Sequence, residues 1–249
     1  MLVLNSRHLM AHSTYIPEVA HEANQAQIAH RVPLLVRLTH WTFTLSFFGL
    51  VVSGFAIILA HPHFYWGETG NILTPPLFSL PLPTMLGGPS GWGRSLHFQS
   101  AWLAVLSGLL YVISGVASRH FRNELLPAKQ EFSLGAWRSC VADHLRLNRL
   151  TQNDGYNILQ KLAYLGVVFV AFPLMILSGF AMSPSITSVL PWMVEVFGGH
   201  QTARTIHFFL ANLLVLFLLV HVTMVALAGF TSRLTAMITG RPAAHKEIQ

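Results

Sequence analysis

Charge is scarce in this chain. Only 10% of its 249 residues are Asp, Glu, Lys or Arg, against about 25% in an average soluble protein. A soluble domain of this size needs a charged surface that this composition cannot supply, so an ordinary cytosolic enzyme is excluded. The 53% apolar share excludes a disordered chain. Acidic residues are scarcest, 9 against 15 Lys and Arg. The resulting net charge of +6 does not mark a nucleic-acid binder, because the basic residues sit between apolar runs. Cysteine is nearly absent: Cys140 alone cannot form an intramolecular disulfide. Residues 1–30 are polar after a four-residue apolar start and lack the apolar core and cleavage site of a signal peptide, so a mobile N-terminal tail is expected there.

What the sequence has instead is long uncharged runs and 14 histidines. Four runs stand out: LTHWTFTLSFFGLVVSGFAIILA (38–60), HFQSAWLAVLSGLLYVISGVAS (97–118), LAYLGVVFVAFPLMILSGFAM (162–182) and IHFFLANLLVLFLLVHVTMVALAGF (206–230). A membrane-crossing helix needs about 20 apolar residues. None of the runs alternates as barrel strands do. The expected fold class is all-α, a bundle of four transmembrane helices over about 33–60, 97–118, 158–182 and 204–230. These lie in a membrane domain spanning 31–240, with a short tail at 241–249.

Thirteen of the fifteen basic residues fall in the N-terminal segment up to Arg37, in the link between helices 2 and 3 up to Lys161, or after helix 4; only Arg94 and Arg204 lie on the other side. The positive-inside rule then places both termini in the cytoplasm of a bacterial inner-membrane protein and makes 61–93 and 183–203 periplasmic. Within the 2–3 link, Leu134, Trp137, Val141 and Leu145 of SLGAWRSCVADHLRL (133–147) recur at helical spacing, the pattern of a helix lying on the membrane surface. A short motif repeats: VSGFAI (52–57) and LSGFAM (177–182), with ISGVAS (113–118) similar. Its small residues suit close helix packing or close approach of a flat cofactor.

Ten histidines lie in tails, loops or interfaces. His61 and His63 form an HPH in the periplasmic loop, a candidate for a metal but also an ordinary loop pair. The other four, His40, His97, His207 and His221, lie within apolar runs, where an unpaired polar group costs several kcal/mol. His207 and His221 are 14 residues apart, about 21 Å along a helix. They point to nearly the same face at two depths, too far apart for one metal ion. With the orientation above, His97 pairs in depth with His207 on the outer side, and His40 with His221 on the inner side. Two facing imidazoles at each of two depths are what two low-spin b-type haems require. No CxxCH occurs for covalent attachment. Three of the four carry the pattern Arg-x-x-His-aromatic: RLTHW (37–41), RSLHF (94–98) and RTIHF (204–208). Arg37, Arg94 and Arg204 each sit one turn from a histidine, placed to pair with a haem propionate or to anchor the helix at the interface.

These residues resemble the bacterial cytochrome b561 and Ni-hydrogenase b-type cytochrome superfamily over residues 31 to about 240. YNILQKLAY (156–164), SGFAMSP (178–184) and GGHQTARTIHF (198–208) look most like its thiosulfate-reductase cytochrome b branch, akin to the cytochrome subunit of membrane formate dehydrogenase. The resemblance implies two haems b held by the pairs His97/His207 and His40/His221. It also implies a quinone site near the cytoplasmic haem, where Asn157, Gln160 and Lys161 match an Asn-x-x-Gln-Lys opening helix 3. Capping and snorkelling account for those three residues equally well. The expected role is a membrane-anchor di-haem cytochrome carrying electrons between the quinone pool and a periplasmic molybdopterin oxidoreductase, through an iron–sulfur subunit in one arrangement. Two alternatives stay open: a self-contained cytochrome b561-like membrane oxidase or reductase, and a histidine-dependent ion transporter without haem.

Overall fold

The computed structural model describes residues 32–70, 73–83, 89–119, 121, 126, 158–227 and 229–241. The expected tail 1–30, the expected surface helix 133–147, Asn157 and residues 242–249 lie outside them. Among the described residues, four segments are long and apolar enough to cross a membrane: Leu34–Ala60, Gly91–Ala117, Lys161–Ala181 and His200–Leu227. The described residues form two compact units, 32–37 with 229–241, and 38–227.

Helix α1 (Leu34–Ala60) and helix α2 (Pro89–Ala117) meet along small side chains. Thr39, Ser46, Ser53 and Ala60 are the buried residues of α1 at seven-residue intervals, joined by Ala56. Gly93, Ser100 and Ser107 repeat the interval on α2. A seven-residue repeat keeps one stripe facing a partner helix, and small residues let backbones approach without an apolar driving force. The approach is close: a Cβ on Gly49 would lie 2.4 Å from Ser100 Oγ, and one on Gly93 would lie 3.1 Å from Ala56 Cβ. The buried serine hydroxyls donate to carbonyls of their own helix, Ser46 to Thr42 and Ser107 to Ala104. Leucines and phenylalanines on the outer faces stay exposed, Leu45 at 74% and Leu106 at 59%, as lipid contact requires.

The third span is not one uniform helix. It runs as α3 (Ile158–Gly166), a π segment (Val167–Ala171) and α4 (Phe172–Ala181). Pro173 explains the break: it has no N–H, and its ring crowds a carbonyl one turn back. The wider π turn absorbs it, with the Phe172 N–H donating to the Val167 carbonyl. Val167, Ala171 and Leu214 form a core at mid-span, surrounded by Phe47, Phe172, Met175 and Phe217.

Between the third and fourth spans lie two short helices, α5 (Pro184–Thr187) and α6 (Trp192–Val196). The fourth span is α7 (His200–Leu227), followed by α8 (Phe230–Thr239). Helices α2 and α7 begin eight and four residues before the expected 97 and 204. Those expectations began at the first apolar stretch, whereas a helix can start wherever its free N–H groups find acceptors. For α7 the acceptors come from a distant loop. The Gly67 carbonyl accepts from the Gln201 and Thr202 N–H groups, and the Glu68 carboxylate accepts from His200 N–H. Helix α7 ends before 230 because Gly229, with φ +98°, turns the backbone into the left-handed region. Helix α8, not among the expected helices, starts there.

In the loop after α1, strand β1 (His63–Phe64) pairs antiparallel with β2 (Phe78–Ser79), His63 opposite Ser79. Phe64 stacks on Phe78 at 4.8 Å and packs on Phe208 of α7 at 4.5 Å. In the smaller unit, Val32 N–H donates to the Gly240 carbonyl and Arg37 Nη2 donates to the Ile238 carbonyl.

Candidate functional site

The four histidines singled out by sequence occupy α1 (His40), α2 (His97) and α7 (His207, His221). Helix α7 is unbroken between its two, so the 14-residue separation is about 21 Å along its axis.

His97 and His207 face each other with ring centres 6.2 Å apart and planes at 59°. Each ring is held on its Nδ1 side by a serine of the neighbouring helix. Ser53 Oγ lies 3.0 Å from His97 Nδ1, and Ser178 Oγ lies 2.9 Å from His207 Nδ1. Both serines are fully buried. The next residue is glycine in both places. A Cβ there would stand 3.8 Å from His97 Cε1 at Gly54 and 3.5 Å from His207 Cε1 at Gly179. The SGF repeat is thus the same cradle built twice, α1 holding α2's histidine and α4 holding α7's.

At the other depth, His40 lies near enough to His221 for their charges to interact. Tyr164 Oη of α3 is 3.3 Å from His221 Nδ1, and the Phe217 ring stacks on His221 at 6.2 Å. His40 rests edge-on against Trp41 at 5.3 Å, and its Nδ1 is buried without a hydrogen-bond partner among the described residues.

The arginines divide. Arg204 reaches into the loop after α1: Nη1 donates to the His63 carbonyl at 3.0 Å, Nη2 donates to the His61 carbonyl, and the guanidinium lies 4.8 Å over the Phe64 ring. Thr205 donates to the Tyr65 carbonyl at 2.7 Å, and Gly67 N–H donates to Thr202 Oγ1 at 2.7 Å. This segment therefore docks along the first turns of α7, where a Cβ on Gly199 would strike the Gly67 carbonyl at 2.3 Å. Arg94 makes no hydrogen bond or ion pair among the described residues, and its charge reaches His61. Burial, then the charges of Arg204 and Arg94, hold the His61 imidazole below its ordinary pKa. Arg37 Nε is buried without a hydrogen-bond partner among the described residues. His63 is bonded through Nδ1 to Ser79 Oγ at 2.8 Å, and no group of three or more metal-ligating side chains is found among the described residues. Gln160 and Lys161 lie in the first turn of α3, about one turn before Tyr164.

The site fits a metalloporphyrin on its own geometry. Metal–imidazole bonds of about 2 Å, plus about 1 Å from nitrogen to ring centre on each side, separate two ring centres across one metal by about 6 Å. The 6.2 Å spacing of His97 and His207 matches this. With Nδ1 occupied by serine in both, Nε2 is the nitrogen left to bind. Sequence reasoning found all four histidines and the SGF repeat. It missed that the serines of the repeat are the partners of His97 and His207, and it gave Tyr164 no role. It also missed the docking of 61–67 on α7, whose bonds are mostly to backbone and leave no residue signature.

A membrane bundle with opposed imidazoles at the depth of its apolar core is a b-type cytochrome. The comparisons with known proteins agree: residues 31–240 match the family described as prokaryotic cytochrome b561, and the chain belongs to that family. It is an integral, multi-pass membrane protein of electron transport that binds b-type haem. It is 34% identical over 210 residues to the putative protein-methionine-sulfoxide reductase subunit YedZ1 of Azospira oryzae, covering 84% of this chain and 95% of the relative. It is also 26% identical over 200 residues to the probable Ni/Fe-hydrogenase B-type cytochrome subunit of Cupriavidus necator, covering 75% and 74%. No solved structure matches.

Proposed function

We propose that the chain is the di-haem cytochrome b subunit of a bacterial inner-membrane redox complex, with both termini cytoplasmic, carrying electrons between the quinone pool and a periplasmic oxidoreductase. The observation that carries the reading is the facing pair His97 and His207, whose Nδ1 atoms are both engaged. His40 and His221 would hold the second haem, and the length of α7 would separate the two by about 21 Å. Bound haem supplies one-electron carriage, and the chain supplies what surrounds it. The imidazoles give axial nitrogens, the SGF cradles orient two of them, and lipid-facing leucines and phenylalanines exclude water. Arg94, whose charge reaches His61 and which makes no hydrogen bond or ion pair among the described residues, is the best propionate partner. Arg204 has N–H groups to spare after its two loop bonds, and Arg37 retains its Nε. Tyr164 against His221, one turn from Lys161, supports a quinone site at that end of α3, with Gln160 and Asn157 as further polar groups.

The relatives are named as subunits of a reductase and of a hydrogenase, which supports a redox-enzyme partner. We take it to be of the molybdopterin class, docking directly or through an iron–sulfur subunit. The test is the purified membrane protein. A dithionite-reduced b-type spectrum with two haems per chain, falling to one in His207→Ala and in His221→Ala, supports the reading. A folded, colourless protein overturns it. Copurification with a molybdenum-containing subunit tests the partner.

A further inference from the structure

We infer that Ser53 and Ser178 are positioning residues that fix the proton of His97 and His207 on Nδ1 and so present Nε2, unprotonated, to the metal. The inference rests on the reading of these histidines as haem ligands. Its argument is a count of hydrogens. A serine hydroxyl has one proton to donate and two lone pairs to accept with. Ser53 Oγ donates its proton to the Gly49 carbonyl at 2.6 Å, and Ser178 Oγ donates to the Met175 carbonyl at 3.0 Å. With the proton committed there, each Oγ can only accept from the imidazole, so the hydrogen stands on Nδ1.

Neutral imidazole carries its single proton on one nitrogen or the other, and only the bare nitrogen binds a metal. The serine oxygen facing each ring thus decides which nitrogen is available. The same hydrogen bond makes the ligand more basic and locks the ring's rotation. The two depths differ in this respect. Both imidazoles at the His97–His207 site are held by a serine hydroxyl. At the other, His221 has a longer contact to the Tyr164 phenol and His40 Nδ1 has no partner among the described residues. The first pair is therefore the more strongly donating and the more rigid, an asymmetry that separates the properties of two haems on one chain.

The experiment uses the full chain, purified with its haem, as wild type, Ser53→Ala, Ser178→Ala, the double variant and the two threonine variants. Haem-to-protein ratio, redox titration and low-temperature EPR of the oxidised protein are the readouts. Losing a metal ligand's hydrogen-bonded partner typically weakens metal binding 10- to 100-fold. Each alanine variant should shed haem from one site on dilution or with a haem-scavenging apoprotein. The haem it keeps should have a raised midpoint potential, because a less basic ligand stabilises the oxidised iron less. One EPR signal should shift and the other stay. Threonine keeps the hydroxyl and should keep the wild-type potential. Alanine variants with wild-type haem retention, potential and EPR overturn the inference, as does a shift of both haems alike. Should an alanine variant fail to reach the membrane, the threonine variant decides: a wild-type signature supports the inference and a displaced potential overturns it. A wild-type protein without haem would instead overturn the proposed function, so the two failures are distinct.

Discussion

Replacing Arg204 with lysine keeps the charge and removes the fork. In the structure that fork grips two carbonyls at once, of His61 and His63, and lies on the Phe64 ring. Lysine has a point charge on a flexible stem and cannot reproduce both bonds. A hydrogen bond to a charged group contributes about 1.5–3 kcal/mol. The site borders water, and lysine keeps part of the attraction, so the expected loss is about 2 kcal/mol. Each 1.4 kcal/mol is tenfold, which gives roughly 30-fold more frequent opening of the docked segment. The amides that report it are Gly67, bonded to Thr202 Oγ1, and Leu77 and Leu80, bonded to the Phe64 and Pro62 carbonyls. Hydrogen–deuterium exchange on peptides covering 61–83 should accelerate by about that factor in R204K, while peptides within 210–227 stay unchanged. Unchanged exchange at 61–83, together with a displaced midpoint potential of one haem, would refute the anchoring argument and return Arg204 to a purely propionate role.

Gly199→Ala should be far more damaging. It places a methyl 2.3 Å from the Gly67 carbonyl at a φ of +120°, so the loop must leave α7, and the folded yield in membranes should fall to a small fraction of wild type. Gly179→Ala and Gly54→Ala are the opposite case: 3.5 and 3.8 Å from the imidazole is ordinary contact, so the fold should persist, and any effect should appear as a changed spectrum of one haem in an intact protein. Tyr164→Phe should displace the potential of one haem only, the one lost in His221→Ala, leaving the His207 haem as it was. His61 gives a pH dependence. Its folded pKa is depressed, so the folded state takes up its proton less readily than the unfolded one. That contribution to stability is present above about pH 6.5 and is lost as pH falls below it. His61→Gln should flatten the melting temperature between about pH 5 and 7. An unchanged slope would show that His61 does not control it.

The sequence made the histidines legible because the membrane makes a buried polar group expensive: four imidazoles inside apolar runs demanded a cause. Depth pairing followed from the direction of each span, without any knowledge of packing. What holds the imidazoles was not legible, and the reason is chemical. A serine in a membrane helix satisfies itself on its own backbone, as Ser46 and Ser107 do. Sequence alone therefore cannot tell a self-satisfied serine from one whose lone pairs also receive a histidine. Only the repeat separated Ser53 and Ser178 from the rest, and small-residue packing explained the repeat just as well.

Helix ends were misjudged for a related reason. The start of α7 depends on acceptors that a loop more than 130 residues earlier supplies, with Gly67 and Glu68 serving where a local cap would be sought. The same dependence gives the loop a second consequence. His207 sits two turns inside α7, and those turns are fixed by Gly67, Tyr65 and the carbonyls that Arg204 grips. The loop, which the proposed orientation puts on the partner's side, is thus bonded to the helix that carries His207. Any partner that moves residues 61–67 must strain the first turns of α7, so docking and the environment of that imidazole are mechanically linked.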